Sequence, residues 1–341
     1  MSRLDLPNLP DSDADTDHLV VAVTGASGLL GGALARTLLS RGIDVRMLLR
    51  RPLAEFEARD GCTVVIGDLE NADALDALVV GATHVAHVAA MYRSDGPLAE
   101  FLAVNLEGTK RLVTAARTAG VRRFLYCSTI GVHGSVAEAE ADENTAFDPR
   151  DAYQESKLRA ERYCRAQVGT GMEIVILRPC GIYGPGDTRM LKMFRMLDKR
   201  AFVQIGPAQA HFHPVYIDDL VDGFLRALIA SDVDGDTFIL GGPEHVPLRT
   251  FVAAAAAALG KPPPWIRVPY KPVQLAAQLC EALCAPLGIE PPLHRRRLTF
   301  FKHHRAFSTA HARDRLGYRP SVGIAEGFRR TVEWYRKTGR L

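Results

Sequence analysis

The chain has 341 residues, 47% hydrophobic and 24% charged, the proportions of a globular protein with ample length for a buried core. Its 42 Lys and Arg against 39 Asp and Glu leave a net charge of +3, too small to argue for a nucleic-acid partner, and no basic stripe with interleaved aromatics occurs. The six cysteines (Cys62, Cys127, Cys164, Cys180, Cys280 and Cys284) show no CxxC pair and no metal-ligand spacing, so no metal site is expected and buried free thiols in a reducing compartment are. Residues 1–17 are rich in Pro and Asp and contain no apolar run, which predicts a flexible tail rather than a signal peptide, and a cytoplasmic protein. No unbroken apolar stretch of about 18 residues exists, so no spanning helix is expected.

Hydrophobic periodicity then predicts the elements in order. His18–Thr24 (HLVVAVT) reads as a buried strand, Leu29–Arg41 as a helix and Asp44–Leu49 as a second strand. Thr63–Ile66 is a third strand, Leu75–Val80 a short helix and His84–Ala89 a fourth strand. A long helix is expected over Leu98–Ala119, a fifth strand over Arg123–Cys127, a helix over Tyr153–Val168 and a sixth strand over Glu173–Leu177. Beyond Pro179 the rhythm breaks, resuming with a helix at Tyr216–Ala230 and a strand at Thr237–Leu240. The remainder reads as mostly helical, with Pro clusters at 262–264 and 291–292. Strands alternating with helices imply an α/β fold with a doubly wound parallel sheet and a smaller, mostly helical C-terminal lobe. The expected division is a sheet domain over 18–180, with 212–240 threading back, and a substrate lobe from 181–211 and 241–341.

Residues 24–31 are TGASGLLG, with glycines at 25, 28 and 31 directly after a strand and opening a helix. In a Rossmann-type unit this context serves a dinucleotide. Gly25 makes the tight turn, Gly28 lets the backbone approach a pyrophosphate at the helix N-terminus, and Gly31 allows close helix–strand packing. Gly25, Ser27, Gly28, Leu29 and Leu30 are therefore candidate cofactor contacts. The second strand ends VRMLLRRP, placing Arg50 where NAD sites usually carry an acid. Arginine attracts a 2′-phosphate that an acid would repel, so NADP(H) is favoured over NAD. Asp68, followed by Leu69 in GDLE, is placed to meet the adenine, and the small Ala89 and Ala90 let the cofactor cross the sheet edge.

Tyr153 and Lys157 form Y-x-x-x-K, one helix face by spacing. A phenol titrates near ~10 and must fall by about 3, worth ~4 kcal/mol, to exchange protons at neutral pH. A neighbouring ammonium favours phenolate, so the pair suits acid–base chemistry. Ser128 and Thr129, at the end of the fifth strand, are candidate hydroxyls to hold a substrate carbonyl.

Together these segments, with VNLEGTKRLVTAA around Asn105, RPCGIYGPGD and HPVYIDDLVDG, resemble the extended short-chain dehydrogenase/reductase family over about residues 18–335. The resemblance implies an NAD(P)-binding sheet domain, a substrate lobe and a homodimer through the two long helices. It implies that Thr129 takes the catalytic hydroxyl position, with Ser128 one place before it, and that Lys157 also binds the nicotinamide ribose. It further implies that Asn105 helps place the lysine and that residues 179–183, with Pro179 and Ile182, face the nicotinamide. Nucleotide-sugar enzymes of the family usually carry an arginine just before the Y-[IV]-x-D-[LV] motif. Here AHFHPVYIDDL has none, leaving His211 and His213 as poorer cations. The departure favours the branch resembling 3β-hydroxysteroid dehydrogenases and dihydroflavonol reductases. The expected activity is hydride transfer between NADP(H) and a secondary alcohol or ketone on a steroid-, flavonoid- or lipid-like substrate. The alternative is a nucleotide-sugar epimerase or dehydratase holding NAD tightly.

Lys271–Leu287 combines a narrow polar stripe, Gln274, Gln278 and Glu281, with a wide apolar surface. Such a helix is expected to bury that surface against its own lobe or a dimer mate. A lid over the substrate and contact with a membrane surface, helped by the basic runs at 294–297 and 302–305, are the alternatives. Met190, Met193 and Met196 are expected to be core.

Overall fold

The computed structural model describes residues 19–57, 59–92, 96–136, 140–284 and 304–341. The expected tail at 1–17, the strand start at His18, the prolines at 291–292 and the basic run at 294–297 lie outside these residues.

Seven parallel strands form one sheet. In chain order they are β1 Val20–Thr24, β2 Asp44–Leu49, β3 Cys62–Ile66, β4 His84–His87, β5 Arg123–Cys127, β6 Glu173–Pro179 and β11 Thr237–Leu240. Their spatial order is β11-β6-β5-β4-β1-β2-β3, so the winding reverses between β1 and β4. That reversal opens a crevice at the carboxyl ends of the strands.

Alternation along each strand feeds two cores. Val21, Val23, Leu125, Val175 and Leu177 face one side, where Leu34 and Leu38 of α1 (Leu29–Ser40) and Leu220, Phe224 and Leu228 of α7 (Ile217–Ile229) pack. Ala22, Phe124, Tyr126, Ile174 and Ile176 face the other. There they meet α2 (Ala72–Val79), α4 (Gly108–Thr118) and α5 (Ala152–Arg165). Each large apolar side chain so buried contributes about 1.5–3 kcal/mol.

The element ends depart from expectation for local reasons. α2 starts three residues early because Asn71 caps it, its side chain accepting from the Ala74 N–H at 3.0 Å. The long helix is α3 (Leu98–Leu102), then a π turn over Ala103–Glu107, then α4. The π turn inserts an extra residue without ending the helix.

The second half adds short strands with no periodicity to announce them: β7 Gly181–Tyr183 beside β10 Pro214–Tyr216, β9 His211–Phe212 beside β12 Val246–Pro247, and β8 Gln204–Ile205 beside β13 Arg267–Val268. Helices α6 (Leu191–Asp198), α8 (Leu248–Ala258), α9 (Tyr270–Cys284), α10 (Ala310–Leu316) and α11 (Ile324–Lys337) complete the described elements. Met190 and Met193 are half-buried against the core. Cys127, Cys164 and Cys180 are buried free thiols as expected, whereas Cys62, Cys280 and Cys284 are only partly covered.

α9 does not bury its wide apolar surface against its own lobe. Ala277 is its one buried residue, and its leucines face outward. Residues 285–287 of the expected helix lie outside the described residues. No helix among the described residues is long and apolar enough to cross a membrane.

Candidate active site

A cleft of about 1850 Å³ runs along the carboxyl edge of the sheet. Gly25, Ser27, Gly28, Leu29, Leu30, Arg50, Asp68, Leu69, Ala89 and Ala90 line one end. Ser128, Thr129, Tyr153, Pro179 and Ile182 line its middle and far parts. Two expected site residues, Lys157 and Asn105, lie behind the wall, each 1% exposed.

The glycine loop is built for close approach. Gly25 adopts φ +78°, and a Cβ there would sit 2.8 Å from the Ala89 nitrogen. A Cβ on Gly31 would lie 2.3 Å from the Gly25 carbonyl oxygen. α1 begins at Leu29 with Gly28 at its N-cap and no side-chain cap. Its first N–H groups therefore remain for an anion, and the cradle fits a dinucleotide pyrophosphate. Arg50 is exposed at the end of β2, beside the buried Leu49. Asp68 is also exposed, and its Oδ1 accepts from the Glu70 N–H at 2.9 Å, so it shapes its own turn as well as facing the cleft.

α5 carries the Y-x-x-x-K pair. Asp151 caps the helix by accepting from the Gln154 N–H at 2.8 Å. Tyr153 reaches the cleft, where the Tyr92 ring meets it edge-on at 4.9 Å. Burial pushes the Tyr153 phenol upward; Cys127, Tyr92 and Asp151 act in the same sense, and Arg189 acts against them. The Lys157 Nζ lies 4.2 Å from the centre of the Tyr126 ring. Burial lowers its pKa from 10.5 to about 8, partly countered by Cys127, Cys164 and Glu161.

The two hydroxyls divide their work. Ser128 is only 3% exposed and donates to Glu161 Oε2 at 2.6 Å. It thereby joins a buried ion pair while lining the cleft. Arg178 and Glu161, both fully buried, meet at 2.6 and 3.1 Å. Burial opposes the Glu161 charge, but Arg178, Ser128 and Arg165 outweigh it and hold the carboxyl below its ordinary range. Thr129 accepts from the Gly131 N–H at 3.0 Å, which leaves its hydroxyl hydrogen for a cleft ligand.

Asn105 lies behind the cleft wall. Its side chain bonds Met91 through N–H and C=O at 2.7 and 3.2 Å and donates to Ser156 Oγ at 2.8 Å. It ties the exit of β4 to α5 at Ser156, the residue before Lys157, and does not line the cleft. A directional chain of hydrogen bonds leads to it. Thr24 Oγ1 accepts from the Val88 and Ala89 N–H groups at 3.2 and 3.1 Å, so it donates to His87 Nδ1 at 2.8 Å. His87 Nε2 then donates to Thr109 Oγ1 at 2.9 Å, and Thr109 donates to the Asn105 carbonyl at 2.6 Å. Burial, and next Lys157, lower the His87 pKa to about 3, consistent with this neutral tautomer.

The sequence reading missed part of the far wall. Arg189, Lys192 and Arg305 join Met190, Phe212 and Ile182 there. Arg189 follows the GPGD segment by two residues, whereas Arg305, expected in a basic run toward a membrane surface, lines the cleft instead. His211 and His213 turn from the cleft: His211 Nδ1 pairs with His245 Nδ1 at 2.8 Å, and His213 Nε2 donates to the Gly242 carbonyl at 2.9 Å.

The model of the NAD dependent epimerase/dehydratase family matches residues 21–241. The chain belongs to this family. It is an NAD(P)-dependent enzyme of the extended short-chain dehydrogenase/reductase type. A 3-beta-hydroxysteroid dehydrogenase of Mycolicibacterium neoaurum is 32% identical, covering 95% of this chain and 93% of that protein. A ceramide reductase of Caulobacter vibrioides is 30% identical over 94% and 96%. The structure of DesIV, a dTDP-glucose 4,6-dehydratase from Streptomyces venezuelae with NAD and TYD bound, superposes with a TM-score of 0.76 at 25% identity, covering 94% of this family member and 97% of that chain.

Proposed function

We propose that this enzyme transfers hydride reversibly between NADP(H) and a secondary alcohol or ketone carried on an apolar scaffold. The observation that carries this reading is the single cleft joining the glycine loop, Thr129 and Tyr153 to an apolar wall of Ile182, Met190 and Phe212. Arg50, on the cleft at the end of β2, supports NADP(H) over NAD. Residues 18–180 with 212–240 hold the cofactor, and 181–211 with 241–341 hold the substrate.

A bound nicotinamide supplies or accepts the hydride, and its oxidised ring adds positive charge that favours phenolate. In the reducing direction Tyr153 gives its Oη proton to the substrate oxygen, and in the oxidising direction it takes that proton back. Thr129 donates its Oγ1 hydrogen to the same oxygen and orients it. Lys157, charged below about pH 8, would stabilise the phenolate and would hold the ribose of a bound cofactor. The named relatives acting on steroid and ceramide substrates support an apolar scaffold.

Arg189, Lys192 and Arg305 favour a second reading, a nucleotide-sugar epimerase or dehydratase, because they could grip a diphosphate. Turnover of NADPH and NADH with apolar ketones, measured beside UDP- and dTDP-sugars, separates the two. Sugar conversion without net cofactor turnover selects the second. Under the first, Tyr153→Phe lowers kcat by about 10²–10⁴ and leaves NADPH affinity nearly unchanged. Retained turnover in that variant rejects the role given to Tyr153.

A further inference from the structure

α9 is inverted for a helix that packs only on its own protein. Ala277 is buried and Val273, Gln274, Cys280 and Glu281 are half-buried, whereas Gln278 is exposed and Leu275, Leu279 and Leu283 are 57%, 57% and 70% exposed. Spaced four apart, the three leucines form one line. Ala276 and Ala282 beside them are exposed too, and Trp265, shortly before the helix, is 71% exposed. The charged side chains exposed on this flank among the described residues, Arg267 and Lys271, are both cationic. In sequence, the 19 residues at 285–303 carry Arg295, Arg296, Arg297 and Lys302 against one acid, Glu290.

We propose that α9 and Trp265 form a docking surface for an anionic phospholipid bilayer, with the helix lying in the plane of the interface. Three observations select this occupant. The 15-residue helix is too short to span, since a crossing needs about 20 apolar residues. An in-plane helix instead buries its apolar line at the boundary of headgroups and acyl chains, where tryptophan is favoured. The exposed cations Arg267 and Lys271 beside it complement anionic headgroups. A second copy fits less well. The line from Leu275 to Leu283 is about 12 Å long at ~1.5 Å per residue, on a helix about 10 Å across. That footprint is on the order of 120 Å², far below the ~800 Å² per partner of a stable dimer.

The test uses the full chain and sedimentation with vesicles of phosphatidylglycerol and phosphatidylcholine, against phosphatidylcholine alone. Preferential binding to the anionic vesicles is expected, weakening as salt is raised. Leu275→Gln/Leu279→Gln/Leu283→Gln should reduce vesicle binding at least tenfold while the thermal transition and circular dichroism stay unchanged. Brominated lipid should quench Trp265 emission, with Trp265→Phe as the control for Trp334. A wild-type chain that ignores anionic vesicles, or a triple variant that binds them equally, overturns the proposal. So does a wild-type dimer in solution that the triple variant converts to monomer, which assigns the leucines to a second copy.

Discussion

Replacing Lys157 by Met should make the protein more stable and catalytically dead. The side chain is 1% exposed, and burial brings its pKa from 10.5 to about 8. The difference of about 2.5, at ~1.36 kcal/mol each, means that keeping this charge buried at neutral pH costs the fold on the order of 3 kcal/mol. Methionine of similar length removes that cost and can retain contact with the Tyr126 ring. The sign follows from proton counting. Between about pH 8 and ~10.4 the unfolded chain binds more protons at this site than the native one, so wild-type stability from this residue rises with pH across that window. The penalty is fully present below about pH 8. Urea unfolding at pH 7 and pH 10 measures both quantities. Lys157→Met should gain up to about 3 kcal/mol at pH 7, and its advantage should shrink at pH 10. Turnover should fall below detection, since the phenolate loses its cation. A variant less stable than wild type at pH 7 would refute the claim that the ammonium is held at the expense of the fold.

Arg50→Asp should weaken NADPH binding at least tenfold while NADH binding holds or improves, read by cofactor titration; equal losses for both would reject the 2′-phosphate contact. Glu161→Gln leaves the fully buried Arg178 without its counter-charge and should lose about 3–5 kcal/mol of unfolding free energy. Adding Arg178→Met to it should recover part of that loss, measurable in the same urea experiment. Because the Glu161 carboxyl is held below its ordinary range, its contribution is present above ~pH 4.3 and disappears as pH falls through the folded value.

The sheet was legible because its strands are continuous apolar runs between helices, a pattern that a buried parallel strand imposes directly. Val20–Thr24 and Arg123–Cys127 are examples, and the cleft-lining glycines followed from their place after β1. Side-chain partnerships were not legible. Ser128 and Thr129 are adjacent in sequence and both line the cleft, yet Ser128 donates its hydroxyl hydrogen to Glu161 while that of Thr129 is left for a ligand. Only the packing of α5 against β5 decides which. Lys157 shares a helix face with Tyr153 by spacing, but spacing does not say that one side chain lies behind the wall. The two-residue strands of the second half are too short for a period, and the inverted α9 is legible only as an amphipathic pattern without a direction.

The π turn at Ala103–Glu107 solves a phase problem. Upstream of it, Phe101 must point into the core at 1% exposure; within it Asn105 must meet Met91, and downstream Thr109 must meet His87. An α-helix advances about 100° per residue, so one residue more or fewer swings every later side chain by more than a quarter turn. The wide turn absorbs that offset inside an unbroken rod. Deleting Ala103 would restore regular geometry and leave the helix intact as a helix. It would also keep Phe101 and Thr109 in phase, since the wide turn is what accommodates the extra residue, but Asn105, inside the turn, would lose its place beside Met91.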